Sequence, residues 1–427
     1  MQLQRGMARV YIEDFGCWLN KALTSYIKQV ASREAELVDR AEEADVVIIN
    51  TCAVRAESER KILARLKELS ASGKRLAVTG CLVNVRPYSI AEVAPEASLV
   101  DPSCLDEIAR FLRGENLWLV REYRRAIFPP EYTGGVRYLI PIQVGCTGSC
   151  GFCVEPVVRR GVVSLEPEVV LRLVADAVRR GAKEVYLTGQ DVAAYGVDLG
   201  TGLTDLLELI LSEVDGDYRI RIGMMEPWMA MRMAEKLAEL MKDERVYKYL
   251  HLPLQSGDNR VLKLMRRKYT VEEYKHLAGF FRENLKELSL VTDIIVGYPG
   301  ETWEAFMNSV HVVEELGFDK VHVARYAFRP FTPAYLAKDT VPEPEKKRRS
   351  KMLTEEALRV AARVNAAYVG KELTALVCEG GEKEGTRVAR TDTYKPVVLP
   401  DAAKLGEWVK VRVIGYTPLH LLGEIVD

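Results

Sequence analysis

The 427-residue chain contains only eight cysteines. So sparse a set does not staple a protein of this length, because disulfide frameworks belong to short secreted scaffolds. An excess of one charge is also missing: 60 basic side chains stand against 61 acidic ones, so composition neither demands nor excludes a nucleic-acid partner. Any such partner must be met by a local patch. Long hydrophobic runs are absent too. The longest uncharged stretch, residues 138–154, is broken by Pro141 and by Gly145, Gly148 and Gly151, which excludes a bilayer span. The N-terminal MQLQRGMARVYIEDFGC carries charge where a signal peptide needs an apolar core, and a second start at Met7 would change nothing. A cytoplasmic protein with no membrane attachment is expected. Internal repeats and low-complexity segments are lacking, and the length implies two or three domains.

What is present is periodic. From residue 7 to about 120, the β-rich runs ARVYIEDF, ADVVIIN and KRLAVTG alternate with helical patterns such as Glu57 to Ser70. This predicts an α/β domain with a mostly parallel sheet over residues 7–125. The Pro- and Gly-rich PPEYTGGVR, residues 129–137, reads as a linker. Beyond it, the runs YLIPIQV, EVYLTG, YRIRIGM, YLHLPLQ, LVTDIIVG and VHVARYAF are separated by helical segments. They predict six βα units, an open partial (βα)6 barrel over residues 136–366. The basic run Lys346 to Lys351 lies in the helical pattern that ends this domain and reads as a solvated face. After Gly370, short strands with Gly-rich turns predict a small antiparallel β-barrel over residues 367–427.

Three of the eight cysteines, Cys146, Cys150 and Cys153, crowd into the glycine-rich loop GCTGSCGFC after the first barrel strand. Barrel enzymes keep their sites at that carboxyl end. Three thiolates from one loop can hold three irons of a 4Fe–4S cube and leave the fourth open to a small molecule, which points to catalysis. The alternative is zinc completed by a histidine, but zinc loops favour paired C-x2-C units, and no second pair exists. Three more cysteines, Cys17, Cys52 and Cys81, each follow a predicted strand of the first domain. In a parallel sheet those ends share one edge, so the three are expected to converge on a second cluster. Cys104 and Cys378 have no such context and read as packing residues.

The loop C-x3-C-x-F-C, with Phe152 as the aromatic, resembles the signature of the radical S-adenosylmethionine superfamily. The runs FGCWLN (15–20), NTCAV (50–54), TGC (79–81), LTGQDVAAYGVDLG (187–200), HLPLQSGDN (251–259) and DIIVGYPGET (293–302) extend the likeness over nearly the whole chain. In sum they resemble the methylthiotransferase family. That resemblance implies an N-terminal domain with an auxiliary 4Fe–4S cluster, a radical S-adenosylmethionine barrel and a C-terminal TRAM barrel. It implies metal ligation by Cys17, Cys52, Cys81, Cys146, Cys150 and Cys153, with the last three catalytic. It further implies S-adenosylmethionine contacts from Phe152, Gly189, Gln190, Gln255, Ser256, Asp293, Gly297 and Tyr298. The acidic residue of the barrel's glycine-rich motif is displaced to Asp191 behind Gln190, FGCWLN lacks the acidic residue usual after its asparagine, and RPFTPA has Phe331 where glycine is more usual.

Family members methylthiolate either a tRNA adenosine at position 37, bearing an N6-threonylcarbamoyl or N6-isopentenyl group, or an aspartate of a ribosomal protein. AYGVDLG, GMMEP (223–227) and ERVYKYLHLPLQS look most like the archaeal and eukaryotic type acting on threonylcarbamoyladenosine. Two S-adenosylmethionine molecules, a tRNA substrate, an electron donor and a sulfur source are implied. Residues 367–427 hold eight Lys or Arg against nine Asp or Glu, so charge does not itself mark an RNA-binding barrel. A basic face is still expected from Lys346 to Lys351 with Arg387, Arg390, Lys395, Lys410 and Arg412, and with Tyr394, Trp408 and Tyr416 for stacking. The rival of another class is a non-catalytic iron–sulfur RNA-binding or electron-transfer protein; it calls for a fourth ligand to each cube, and neither trio has an evident one.

Overall fold

A computed structural model describes residues 7–53, 56–338 and 341–426. Val54 of the NTCAV run and the terminal Asp427 lie outside them. The N-terminal sheet has six strands, all parallel, in the order Glu36–Leu37, Arg9–Asp14, Val46–Thr51, Arg75–Gly80, Ser98–Val100, Trp118–Leu119. The middle strand VVIINT is buried along its whole length, as a β-branched run covered on both faces should be. Helix Trp18–Ser32 covers one face with Leu19, Leu23 and Ile27, and helix Ala56–Ala71 the other with Ile62, Leu66 and Leu69.

The carboxyl edge of this sheet is built from polar residues that lock neighbouring loops. Asn20 Nδ2 donates to Thr51 O at 2.9 Å, Asn50 Nδ2 donates to Asn20 O at 3.0 Å, and the Thr51 hydroxyl donates to Thr79 O at 2.6 Å. Buried side chains so paired cost little and fix one loop arrangement. Gly80 completes the lock at φ 91°, where a Cβ would collide with the Thr51 backbone. Gly80→Ala is expected to destabilise the chain by about 2–4 kcal/mol, read as a shift of the urea midpoint.

Six further parallel strands form the open barrel. Arg219–Ile222, Glu184–Thr188 and Arg137–Pro141 make one group, and Tyr249–His251, Ser289–Val296 and Lys320–Arg325 the other. An Ile220–Val246 bridge and a Met225 N–H to His251 O bond of 3.0 Å join them. Helix Trp18–Ser32 packs on the first barrel strand, and helix Glu343–Ala366 packs on the last. The open edges of the array are therefore covered by other elements.

The C-terminal strands Glu372–Gly380, Thr386–Thr391, Pro396–Pro400, Leu421–Val426 and Trp408–Tyr416 close into a barrel in that order. One pair, Pro396–Pro400 with Leu421–Val426, is parallel. Five is an odd number, so strictly alternating directions cannot close the ring.

Much of the basic face expected on this barrel is taken up by internal contacts, while Lys410 and Tyr416 stay exposed. The turn after Thr391 inserts into the amino-terminal end of the large barrel, where Tyr394 is buried beside Tyr186, Tyr247 and Tyr249 and hydrogen-bonded to the Tyr186 hydroxyl. Lys395 is buried against Asp319 and Asn365, and Asp392 meets Arg219 at 3.4 Å. Arg387, Arg390 and Arg412 each pair with a local carboxylate. Of the helical basic run, Lys346 and Arg349 are buried, Arg349 against Glu301 at 2.7 Å. Strand alternation places such residues on one side of a strand but does not say what docks there.

Candidate active site

The loop bearing Cys146, Cys150 and Cys153 follows the short strand Gln143–Val144 and is shaped by close contacts at its glycines. Gly145 sits at φ 82°, and a Cβ there would collide with Gly161 O. Its N–H donates to Gln190 Oε1 at 2.9 Å, so Gln190 holds the loop from the second barrel strand. A Cβ on Gly189 would collide with Gln143, and one on Gly151 would lie 2.5 Å from the Tyr298 hydroxyl. A side chain on Gly148 would lie 3.2 and 3.6 Å from the sulfurs of Cys146 and Cys150, so both sulfurs flank one glycine.

Each sulfur of this loop receives a donor. Gly148 N–H reaches Cys146 Sγ at 3.1 Å, Glu155 N–H reaches Cys153 Sγ at 3.4 Å, and the Arg267 guanidinium reaches Cys150 Sγ at 3.1 Å. Such donors favour sulfur as an anion and therefore as an iron ligand. Arg267 is itself held by Glu226 at 3.1 Å and by the Tyr269 hydroxyl at 2.9 Å. Arg267→Ala leaves the half-buried Glu226 without its cation. It is expected to cost about 3 kcal/mol in urea unfolding and to speed iron loss on dilution.

Cys17, Cys52 and Cys81 follow three adjacent strands of the N-terminal sheet at its carboxyl edge. Cys81 opens helix Cys81–Val85, which packs on the short helix Glu155–Val158 that follows Cys153. Val154 and Val158 enter the same core as Cys81, Leu82 and Val83, so the barrel loop is embedded in the N-terminal domain. Burial raises the Cys81 thiol well above its ordinary value, and the charges of Glu155, Cys52 and Cys17 add to this. Cys17 is exposed, yet desolvation raises its thiol too, with the charge of Glu155 adding to this. Cys104 and Cys378 are buried away from both trios.

Glu155 is a residue that sequence reasoning passed over. Desolvation pushes its carboxyl up to about 7 against the pull of Arg159. Burial raises the thiols of Cys17, Cys81, Cys146 and Cys153, Cys146 to about 12, and the Glu155 charge raises all four further. It opens the helix that packs on helix Cys81–Val85, within electrostatic reach of both trios. Its only signal in the sequence is an acidic residue two places after the last loop cysteine, with Arg159 one helical turn on.

The remaining expected contacts are dispersed around the barrel mouth and its interior. The Phe152 and Tyr298 rings meet edge to face at 6.5 Å, and the Tyr298 hydroxyl donates to Leu264 O at 3.1 Å. Gln255 adopts φ 73°, and Ser256 is fully buried with its hydroxyl accepting from Asp258 N–H at 3.3 Å. Asp293 bonds His251 Nε2 at 2.7 Å, and together with His322 their ligand atoms fall within 4.8 Å of one another. Gly297, at φ 75°, lies where a Cβ would collide with the Lys346 stem. Among the described residues, two buried acceptors of this region, Asp191 Oδ2 and Gln255 Oε1, have no hydrogen-bond partner. That is costly unless a ligand supplies N–H or O–H donors, and S-adenosylmethionine carries both in its ammonium and ribose groups. Burial pushes the Asp191 carboxyl up to about 6. The donor set thus fits an iron–sulfur cube at the loop and a polar ligand beside it.

Comparison with known proteins agrees with this arrangement. The Radical SAM superfamily matches residues 140–313, the Uncharacterized protein family UPF0004 residues 9–101, and the TRAM domain residues 366–426. A Pyrococcus horikoshii protein named "Probable threonylcarbamoyladenosine tRNA methylthiotransferase" is 38% identical, covering 98% of this chain and all of its own. An Archaeoglobus fulgidus protein of the same name is 36% identical over 98% of each chain. The "tRNA-2-methylthio-N(6)-dimethylallyladenosine synthase" of Acetivibrio thermocellus is 33% identical, covering 100% of this chain and 92% of its own. In fold, the radical S-adenosylmethionine methyltransferase TsrM of Kitasatospora setae superposes with a TM-score of 0.57 over 78% of this chain and 77% of that one, at 15% identity. Among the described residues, no helix is long and apolar enough to cross a membrane. With full-length relatives at this identity, and a three-cysteine loop at the carboxyl end of the barrel's first strands, the chain belongs to the radical S-adenosylmethionine methylthiotransferase family.

Proposed function

We propose that the chain methylthiolates C2 of N6-threonylcarbamoyladenosine in tRNA, in the cytoplasm, using two molecules of S-adenosylmethionine, two 4Fe–4S clusters, an external electron donor and a sulfur source. The observation that carries this reading is the packing of helix Cys81–Val85 on helix Glu155–Val158, which sets one cysteine trio beside the other. Residues 7–125, 136–366 and 367–427 would then act as auxiliary-cluster domain, radical barrel and TRAM barrel. The substrate follows the names of the archaeal relatives, which span this chain from end to end.

In this reading Cys146, Cys150 and Cys153 hold the barrel cluster, and Cys17, Cys52 and Cys81 hold the auxiliary one. When bound, the clusters supply the electron for S-adenosylmethionine cleavage and the site that carries sulfur. The chain's own share is geometric and electrostatic. Arg267 and two backbone N–H groups steady the loop sulfurs, and Asp191 and Gln255 offer their unfilled oxygens to the polar ends of S-adenosylmethionine. The barrel floor, sealed by Tyr394 against Tyr186, Tyr247 and Tyr249, keeps water from that end, as radical chemistry requires.

The test is anaerobic reconstitution followed by incubation with S-adenosylmethionine, reductant and tRNA carrying either threonylcarbamoyl- or isopentenyl-adenosine. Nucleoside mass analysis is expected to show a methylthio product from the first tRNA. Product from the second alone, or from neither, contradicts the assignment.

A further inference from the structure

Phe331 combines two features that a packing role does not require. Its φ of 66° lies in the left-handed region, where a bulky side chain is disfavoured by its own Cβ, and 61% of its surface is exposed. Tyr394 adopts a similar φ of 63°, but there the ring is buried in the barrel floor. At Phe331 no such burial offsets the backbone strain. Strain of this kind persists where surrounding structure imposes it, and it gathers at ligand sites.

The surroundings of Phe331 place it at the seam between the two cysteine trios. Three residues on, Ala334 N–H donates to Gly151 O at 2.8 Å, tying the segment to the cluster loop. Above the Phe331 ring, at 4.5 Å, lies the guanidinium of Arg121, which comes from the segment leaving the N-terminal sheet. Arg121 is fixed by two bonds to Asn84, Nε to the carbonyl and N–H to Oδ1, both 2.9 Å. Asn84 stands in helix Cys81–Val85, three residues from Cys81. One half of the pair thus belongs to the barrel and the other to the N-terminal domain. Tyr88, 80% exposed, stands at the start of the helix that follows, and Arg86 just before it is tied through Glu59 to Arg329.

An exposed aromatic face with a planar guanidinium held over it matches the chemistry that takes up unstacked bases of single-stranded RNA. A base modified at a ring carbon has to leave its stack to reach the site, and its neighbour then loses a stacking partner. We propose that Phe331, faced by Arg121, is the platform that takes up the base next to the target adenosine. This rests on the tRNA reading above and deepens it by naming the residue that grips the loop.

The test uses the anaerobically reconstituted full chain and a tRNA anticodon stem-loop carrying threonylcarbamoyladenosine, with affinity read by fluorescence anisotropy. Phe331→Ala is expected to weaken binding about tenfold and to raise KM more than it lowers kcat, while Phe331→Trp restores both. Phe331→Gly relieves the backbone strain, so it should fold at least as stably as the parent by urea unfolding and yet bind as weakly as Phe331→Ala. Parental affinity in both the Ala and Gly variants overturns the platform while leaving the tRNA reading intact. If the parent chain itself does not bind the stem-loop, the tRNA reading fails, and the platform with it.

Discussion

Alanine at Cys146, Cys150 or Cys153 is expected to reduce 5′-deoxyadenosine production from S-adenosylmethionine to the background of the chain without iron. The three sulfurs come from one loop that is closely packed at Gly145 and Gly151 and holds no fourth cysteine. The other trio is held on a different sheet edge by the Asn20, Asn50 and Thr51 lock. A cube held by two thiolates loses its iron, and without it there is no electron for the cleavage. The loss is a failure of chemistry rather than of folding, because Val154 and Val158 keep their place in the N-terminal core. Circular dichroism of each variant should therefore overlay that of the parent. Retained 5′-deoxyadenosine in any of the three variants removes the loop from the reaction.

Replacing Cys17, Cys52 and Cys81 together has the complementary outcome. Iron per chain is expected to fall by half, S-adenosylmethionine cleavage in the absence of RNA to persist, and methylthio product to disappear. The separation follows from the distribution of donors. Arg267, Gly148 and Glu155 serve the loop sulfurs and come from the barrel, so a cluster held there would not depend on the N-terminal thiols. Iron content and nucleoside mass analysis on the same preparation check both halves. Full iron in the triple variant, or methylthio product without those thiols, contradicts the role given to the sheet edge.

The elements that carry these predictions were legible because they depend on local pattern. The buried run VVIINT and its neighbours announced parallel strands, and cysteines at equivalent strand ends could be placed on one edge without knowing any distance. The six βα units and the closing barrel were legible from the same periodicity. What stayed hidden was decided by docking between distant segments. Lys346 and Arg349 read as a solvated face and Lys395 as part of a basic one, yet each is buried where a helix or turn packs on the barrel. Tyr394 looked like a stacking residue for RNA and instead seals the barrel floor. Glu155 was silent because a lone glutamate in a loop signals nothing until the second cysteine trio is folded against it. Phe331 stood out as a departure from pattern, but only its backbone angle and exposure gave that departure a meaning.

The central claim is that two three-thiolate cubes share one seam, and the iron count of the reconstituted parent chain tests it most directly. Anaerobically loaded with iron and sulfide and then desalted, the chain is expected to retain about eight irons and eight sulfides, two cubes per chain. Four irons per chain, or zinc in their place, would contradict the account.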